Sequence, residues 1–350
     1  MLGKGMKKQE RRRKQTMNAK LKTLALFLSP FIIFLVSLCI GRYSIPITTV
    51  VKILSSKIFE APVTWTDIME SVVINVRFPR LIIVSLVGAS LAISGASFQG
   101  ILKNPLVSSD ILGVASGAGF GAALAILFFP GATSIQMFAF AFGMLAVALA
   151  YGINSFYKRS STLILVLSGI IVSSFFSSLI SLMKYTADPE TKLPEIVFWL
   201  LGSFASVTVD DVFQYAPYMI VGIIVLLALR WRINVLSLDD MQAKSLGLNI
   251  KRYQGVIIFF CTLISAAAVC VSGIIGWVGL IVPHIARMIV GPNNSKVLPA
   301  SVVIGMSYMI IIDDIARTLV ANEIPMGVLT GIIGAPFFGY LLFRQRVGWT

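Results

Sequence analysis

The run ILGVASGAGFGAALAILFFPGATSIQMFAFAFGMLAVALAYGINSFY, from Ile111 to Tyr157, contains no charged residue. Crossing the hydrocarbon core of a bilayer takes about 20 mostly apolar residues, so this run is long enough for two helices. Pro130-Gly131 supplies the break between them: proline removes an intrahelical donor and glycine turns freely. Leu24–Ile40, Leu81–Leu102 and Thr162–Met183 are likewise free of charge.

Outward from these runs, the whole chain has the same character. Of its 350 residues, 57% are hydrophobic and 13% charged, where a soluble domain carries roughly 45–50% and about 25%. The pattern predicts an all-α polytopic membrane protein of about ten transmembrane helices. They are expected near residues 23–41, 80–101, 111–129, 134–156, 162–184, 212–230, 254–273, 275–290, 297–320 and 327–344. A basic cytoplasmic tail (1–22) precedes a single transmembrane domain (23–350).

The net charge of +14 belongs to the loops and does not call for a nucleic-acid partner. Lysine and arginine gather on the cytoplasmic side of membrane proteins. Nine of the 29 basic residues fall in the first 22 positions, which places the N-terminus inside, next to anionic lipid. Lys103, Lys158, Arg159, Arg230, Arg232, Lys244, Lys251, Arg252, Lys296, Arg344 and Arg346 then occupy inner segments. Glu60, Asp67, Glu70, Asp188, Glu190, Glu195, Asp210, Asp211 and Glu323 occupy outer ones. An even number of spans with both termini cytoplasmic satisfies this distribution. The first span reads as an uncleaved signal anchor. Cys39, Cys261 and Cys270 lie in apolar stretches without metal-ligand spacing and read as packing residues.

One long inner segment, about 231–253, stands out. Ser237 is expected to cap a short amphipathic helix there, with Asp239 and Asp240 in its first turn and Gly247 ending it. Such a helix contributes nothing to solute passage and suits the docking of a soluble partner. A faint repeat at an offset of 178 residues sets Ser94-Gly95 on Ser272-Gly273, Leu102 on Leu280, Pro105 on Pro283 and Gly113 on Gly291. Inverted repeats of this kind occur in transporters.

No catalytic constellation is found. There is no phosphate-cradling Gly-x-x-x-x-Gly-Lys-Ser/Thr loop, and His284 is the only histidine, which excludes a His-rich metal site within one chain. No cofactor is expected. The chemistry rests in charges at the edges of spans, where an ionisable group costs on the order of 2.5–3.5 kcal/mol to insert and so acquires a partner or a function. Asp313 and Arg317 are four apart on one helix face and can pair. They read either as a self-neutralised structural pair or with Arg317 as a docking charge. Arg77 and Arg80 flank Pro79 at the outer end of a span, where the positive-inside bias disfavours arginine, and this points to an outward-facing role.

In order and spacing these segments resemble the permease family of cobalamin, haem and ferric-siderophore ABC importers. The residues that carry the resemblance are Arg77-Phe-Pro-Arg80, Gly88-Ala-Ser-Leu-Ala-Ile-Ser-Gly95 with Gln99, and Asn104-Pro-Leu106 with Asp110-Ile-Leu-Gly113. Trp199-Leu-Leu-Gly-Ser203 and Ala243-Lys-Ser-Leu-Gly247 follow, then Gly276-Trp-Val-Gly-Leu-Ile-Val-Pro-His-Ile-Ala-Arg287, Asp313/Asp314 with Ala316-Arg317, Glu323-Ile-Pro-Met-Gly327 and Gly334-Ala-Pro-Phe337. Trp277 stands where phenylalanine is usual, and Asn293-Asn294 where Asp-His is usual.

The resemblance implies two permease subunits, alike or different, around a central path in the bacterial inner membrane. Two cytoplasmic ATPases drive it, and an extracytoplasmic binding protein delivers an iron–siderophore or similar chelate. By that resemblance Arg77, Arg80 and Arg317 dock the binding protein. Ala243, Lys244, Ser245, Leu246, Gly247 and Leu248 dock the ATPase, and Ser160, Ser161 and Thr162 form the cytoplasmic gate. The expected mechanism is alternating access, with no covalent chemistry on this chain. An ion-coupled secondary transporter using Asp313 or Asp314 is the rival reading; a membrane enzyme or scaffold has no catalytic cluster to support it.

Overall fold

The computed structural model describes residues 24–57, 59, 63–129, 131–156, 162–320 and 322–344. The basic tail and the gate residues Ser160 and Ser161 lie outside them. The described residues form helices α1 (Leu24–Cys39), α2 (Ile47–Ser56), α3 (Asp67–Ser71), α4 (Phe78–Ile101), α5 (Val114–Phe128), α6 (Ala132–Ser155), α7 (Thr162–Thr186), α8 (Lys192–Leu201), α9 (Val209–Ala228), α10 (Arg230–Leu236), α11 (Asp240–Ser245), α12 (Ile250–Ser272), α13 (Val278–Val290), α14 (Asn294–Thr318) and α15 (Met326–Arg344). Each of the ten predicted spans is a helix. Six helical stretches are long and apolar enough to cross a bilayer; α1, α5, α13 and α15 are shorter apolar helices.

The helix of α4 starts earlier than its apolar run suggests. Helical backbone continues without a break from Asp67 to Ile101, because a π-helical segment, Val72–Arg77, joins α3 to α4. Pro79 lies at the junction and has no N–H to give, so the wider turn accommodates it without ending the helix. Arg77 and Arg80 are thereby held on a continuous helix.

Helix α4 is enclosed by α14, α12, α13 and α9, whereas α6 and α7 turn most of their apolar surface outward. In a bilayer lipid tails are as apolar as leucine, so helices associate through close backbone approach at small residues. A Cβ built on Gly88 would stand 2.2 Å from the Gly305 carbonyl oxygen, and one on Gly95 would stand 1.9 Å from that of Gly279. Only glycine lets α4 approach α14 and α13 this closely. The glycines at 117 and 121 do the same for α5 against the carbonyls of Phe142 and Phe138.

Helix α13, of 13 residues, falls short of a span. An irregular stretch precedes it, ending at Trp277 with φ +70°. Non-helical backbone at membrane depth is tolerated where protein buries it. Here the ends of α8 and α12 lock together, with Ser203 donating to the Ser272 carbonyl at 2.9 Å, and Met326 at the start of α15 donates to the Gly202 carbonyl at 2.9 Å.

Candidate functional site

The α4 end that carries Arg80 holds a buried ionic knot. Arg80 Nη2 lies 2.8 Å from Asp313 Oδ1, and Nε lies 3.1 and 3.2 Å from its two oxygens. The same guanidinium grips Glu323, on the loop between α14 and α15, at 2.9 and 2.8 Å. Arg317 Nε stands 3.5 Å from the second oxygen of Asp313, and its Nη2 pairs with Asp314. Ser37 donates to Asp314 at 2.5 Å and accepts from Arg317 at 2.8 Å. Arg317 also donates to the Ile40 carbonyl at 2.6 Å.

Arg77 lies alongside with no ion pair among the described residues, donating to the carbonyls of Leu38 at 2.7 Å and Tyr43 at 2.5 Å. The arginines are 5%, 7% and 7% exposed for Arg77, Arg80 and Arg317, and Asp313 is fully buried. Within this conformation all three donate to the chain's own acceptors, although Arg317 Nε, buried, has no hydrogen-bond partner among the described residues. A buried charge is tolerable only when paired and hydrogen-bonded, and this knot supplies both. The expected Asp313–Arg317 pair is present, and Arg80 joins it from α4.

Glu323 is the least buried acid of the knot, its side chain 28% exposed. Burial pushes its carboxyl up. The hydrogen bond and charge of Arg80, with the charges of Arg42 and Arg317, outweigh that and hold it below the usual glutamate range. In the sequence Glu323 stands in a motif with no partner indicated, and Ser37 carries no signal at all.

At the far end of α4, about 35 Å away along a helix of 24 residues, the long inner segment is more helical than expected. α10 follows α9 with only Leu229 between. Ser237 does not cap the docking helix. Its hydroxyl donates to the Asn234 carbonyl at 2.7 Å and closes α10, while Asp239 takes the N-cap position of α11. Gly247, at φ +77°, ends α11 as expected. Ala243 is buried, whereas Met241 is 83% and Leu246 55% exposed. Lys244, Ser245 and Gly247 are also exposed, and Leu248 is half-buried. Lys103 at the end of α4 pairs with Asp240 at 2.7 Å, tying α11 to the central helix.

Arg287 donates to Gln99 of α4 at this end. Gln99 in turn donates to the carbonyls of Val107 at 3.0 Å and Gly279 at 3.3 Å. His284 is buried. Thr162 opens α7.

The chain is thus helical with several apolar spans, a charge knot at one end of α4 and a short, mostly polar helix exposed at the other. The sequence profile of the FecCD transport family matches residues 29–344. The chain belongs to that family, whose members are ABC-transporter permeases and not themselves enzymes. It is 42% identical over 318 residues to the molybdate import system permease protein of Haemophilus influenzae, covering 89% of this chain and 92% of that one. A probable iron chelatin transport system permease protein of Helicobacter pylori is 41% identical, over 79% of this chain and 83% of the relative. The hemin transport system permease protein of Yersinia pestis is 31% identical, over 80% and 85%. An inward-facing structure described as a metal-chelate type ABC transporter superposes with a TM-score of 0.82 at 40% identity, over 92% of this chain and 98% of the other.

Proposed function

We propose that this chain is the membrane-spanning subunit of a binding-protein-dependent ABC importer that carries an iron–siderophore or related metal chelate into the cytoplasm by alternating access. The observation that carries the reading is α11 with the turn that follows it: Ala243 is buried against the fold, while Met241 on the helix and Leu246 just past it are presented to the outside. A short exposed helix that is tied to the central α4 and carries an unburied methionine is a surface for a soluble partner. That partner is an ATPase dimer, which transmits its closure through Ala243, Lys244, Ser245, Leu246, Gly247 and Leu248 to α7 and α15. The α11 end is then cytoplasmic, both termini are cytoplasmic, and the chain sits in the inner membrane beside a second permease subunit. Ser160, Ser161 and Thr162 are proposed as the gate.

The Arg80 end faces the binding protein. Because Arg77, Arg80 and Arg317 are already bonded, docking is proposed to work by exchange. An incoming carboxylate takes the place of Glu323 on Arg80, while Asp313 keeps its grip. Glu323 leads directly into α15, so the exchange reports docking to a helix of the transport path. The ion-coupled rival is disfavoured by Asp313 being shared between two arginines, which leaves it poorly placed to take up and release an ion.

The substrate reading follows relatives named for iron chelates and hemin, and the molybdate permease adds a second candidate, an oxyanion. The test is ATP-driven uptake by the reconstituted complex of a panel holding a ferric siderophore, haem, cobalamin and molybdate. Met241→Asp/Leu246→Asp should abolish ATPase co-purification and uptake while the melting temperature of the permease holds. Uptake that follows an ion gradient without ATP overturns the importer reading, and uptake of molybdate alone replaces the chelate with the oxyanion.

A further inference from the structure

We propose that the slot between α6 and α12 is a binding site for an anionic phospholipid, with one acyl chain in the slot and its phosphate held by Lys251 and Arg252. The slot is a cavity of about 150 Å³. Met144, Val147 and Tyr151 line it from α6, and Gly255, Phe259 and Thr262 line it from α12. These positions recur at helical spacing, so the slot runs along both helices. Its floor, Val147 and Thr262, is buried, and its rim, Tyr151 and Phe259, is exposed. The Thr262 hydroxyl donates to the Ile258 carbonyl at 2.7 Å, so the floor offers no free donor. An apolar slot that opens on the outward-turned side of α6 in a membrane-spanning chain takes hydrocarbon.

Gly255 creates the room. A Cβ there would meet nothing nearer than the Tyr151 hydroxyl, at 3.5 Å. This glycine does not serve close helix packing, in contrast to Gly88 and Gly95.

The charges sit where a headgroup belongs. Lys251 is four residues before Gly255, and Arg252 is three before it and seven before Phe259, so the two cations bracket the line of the slot. Both are exposed, and among the described residues neither side chain has an ion-pair partner, unlike Lys103 on Asp240. Arg232, over the Tyr253 ring at 5.2 Å, adds positive charge beside them. Basic side chains at a membrane surface favour lipids of net negative charge over zwitterionic ones, whose own cation offsets the phosphate. Tyr151 gives the amphipathic ring that belongs at headgroup depth.

The inference needs only that the chain spans a membrane; Lys251 also lines the cleft beside the proposed docking residues Lys244, Gly247 and Leu248, so it is tested on the chain without its ATPase. The full-length protein in detergent is titrated with phosphatidylglycerol or with phosphatidylcholine of the same acyl chains, and bound lipid is counted by native mass spectrometry. Phosphatidylglycerol should be retained at lower concentration. Lys251→Gln/Arg252→Gln should weaken its retention roughly thirtyfold, about fivefold for each charge, and leave phosphatidylcholine unchanged. Gly255→Leu should fill the slot and weaken both lipids, with an unchanged melting temperature showing that the variant folds. In the native chain a photoactivatable phosphatidylglycerol should label peptides of α6 and α12. Equal retention of the two lipids, or phosphatidylglycerol binding that ignores the double variant, overturns the headgroup assignment. Labelling elsewhere overturns the slot.

Discussion

Arg80 of α4 and Asp313 of α14 meet with the arginine 7% exposed and the carboxylate fully buried, at 2.8 Å. They are 233 residues apart in the chain, and their contact ties the central helix to its principal neighbour. Removing one member of a buried pair strands the other, at a cost of about 3–5 kcal/mol. Asp313→Ala should therefore lower stability by that order, read as a drop in melting temperature of the purified protein. If Asp313→Asn folds, ATP-driven uptake should persist without any new dependence on an ion gradient.

Glu323 makes the knot sensitive to acid. Its carboxyl is held below the usual value of 4.5, so the folded state binds the proton more weakly than the unfolded chain does. Its contribution is present above pH 4.5 and is lost as pH falls from there through the depressed folded value. Melting temperature measured across that range should decline with falling pH. In Glu323→Gln that part of the decline should vanish, leaving a lower, flatter curve.

Exchange at Arg80 makes a second statement about Glu323. Glu323→Gln releases the outer donors of Arg80 without touching Asp313. Affinity for the binding protein should rise roughly five- to tenfold, the gain from removing a competing, partly exposed carboxylate, ~1 kcal/mol. Surface plasmon resonance on the reconstituted permease measures it. Weaker docking would mean that Glu323 itself is part of the docking surface.

Two glycines should respond in opposite directions to alanine. Gly95→Ala drives a Cβ to 1.9 Å from the Gly279 carbonyl and must part α4 from α13, costing about 1–3 kcal/mol. Gly152→Ala in α6 meets nothing within 4 Å and should gain up to about 1 kcal/mol from helix propensity. Melting temperatures of the two variants, compared with the parent, decide this.

Apolar runs located the ten predicted helices, six of which lie in stretches long and apolar enough to cross a bilayer among the described residues, because insertion into hydrocarbon depends on local composition and length, which a linear string records. The break at Gly131 and the stop at Gly247 were also legible, since they express local backbone preference. The cap at Ser237 was misread for a local reason as well: α10 runs directly on from α9, so the serine closes one helix and Asp239 opens the next.

What the chain's sequence determined by itself is the class of protein: a helical membrane permease with a polar, helix-forming insert. Those properties are sums over neighbouring residues. What the tertiary structure decided is which charges satisfy one another. Arg80 finding Asp313 and Glu323, Ser37 closing on Asp314 and Arg317, and Gly95 meeting Gly279 all depend on helices distant in sequence being brought together. The physical reason is that a buried charge or an unfilled Cβ position is resolved only by the neighbour that packing supplies.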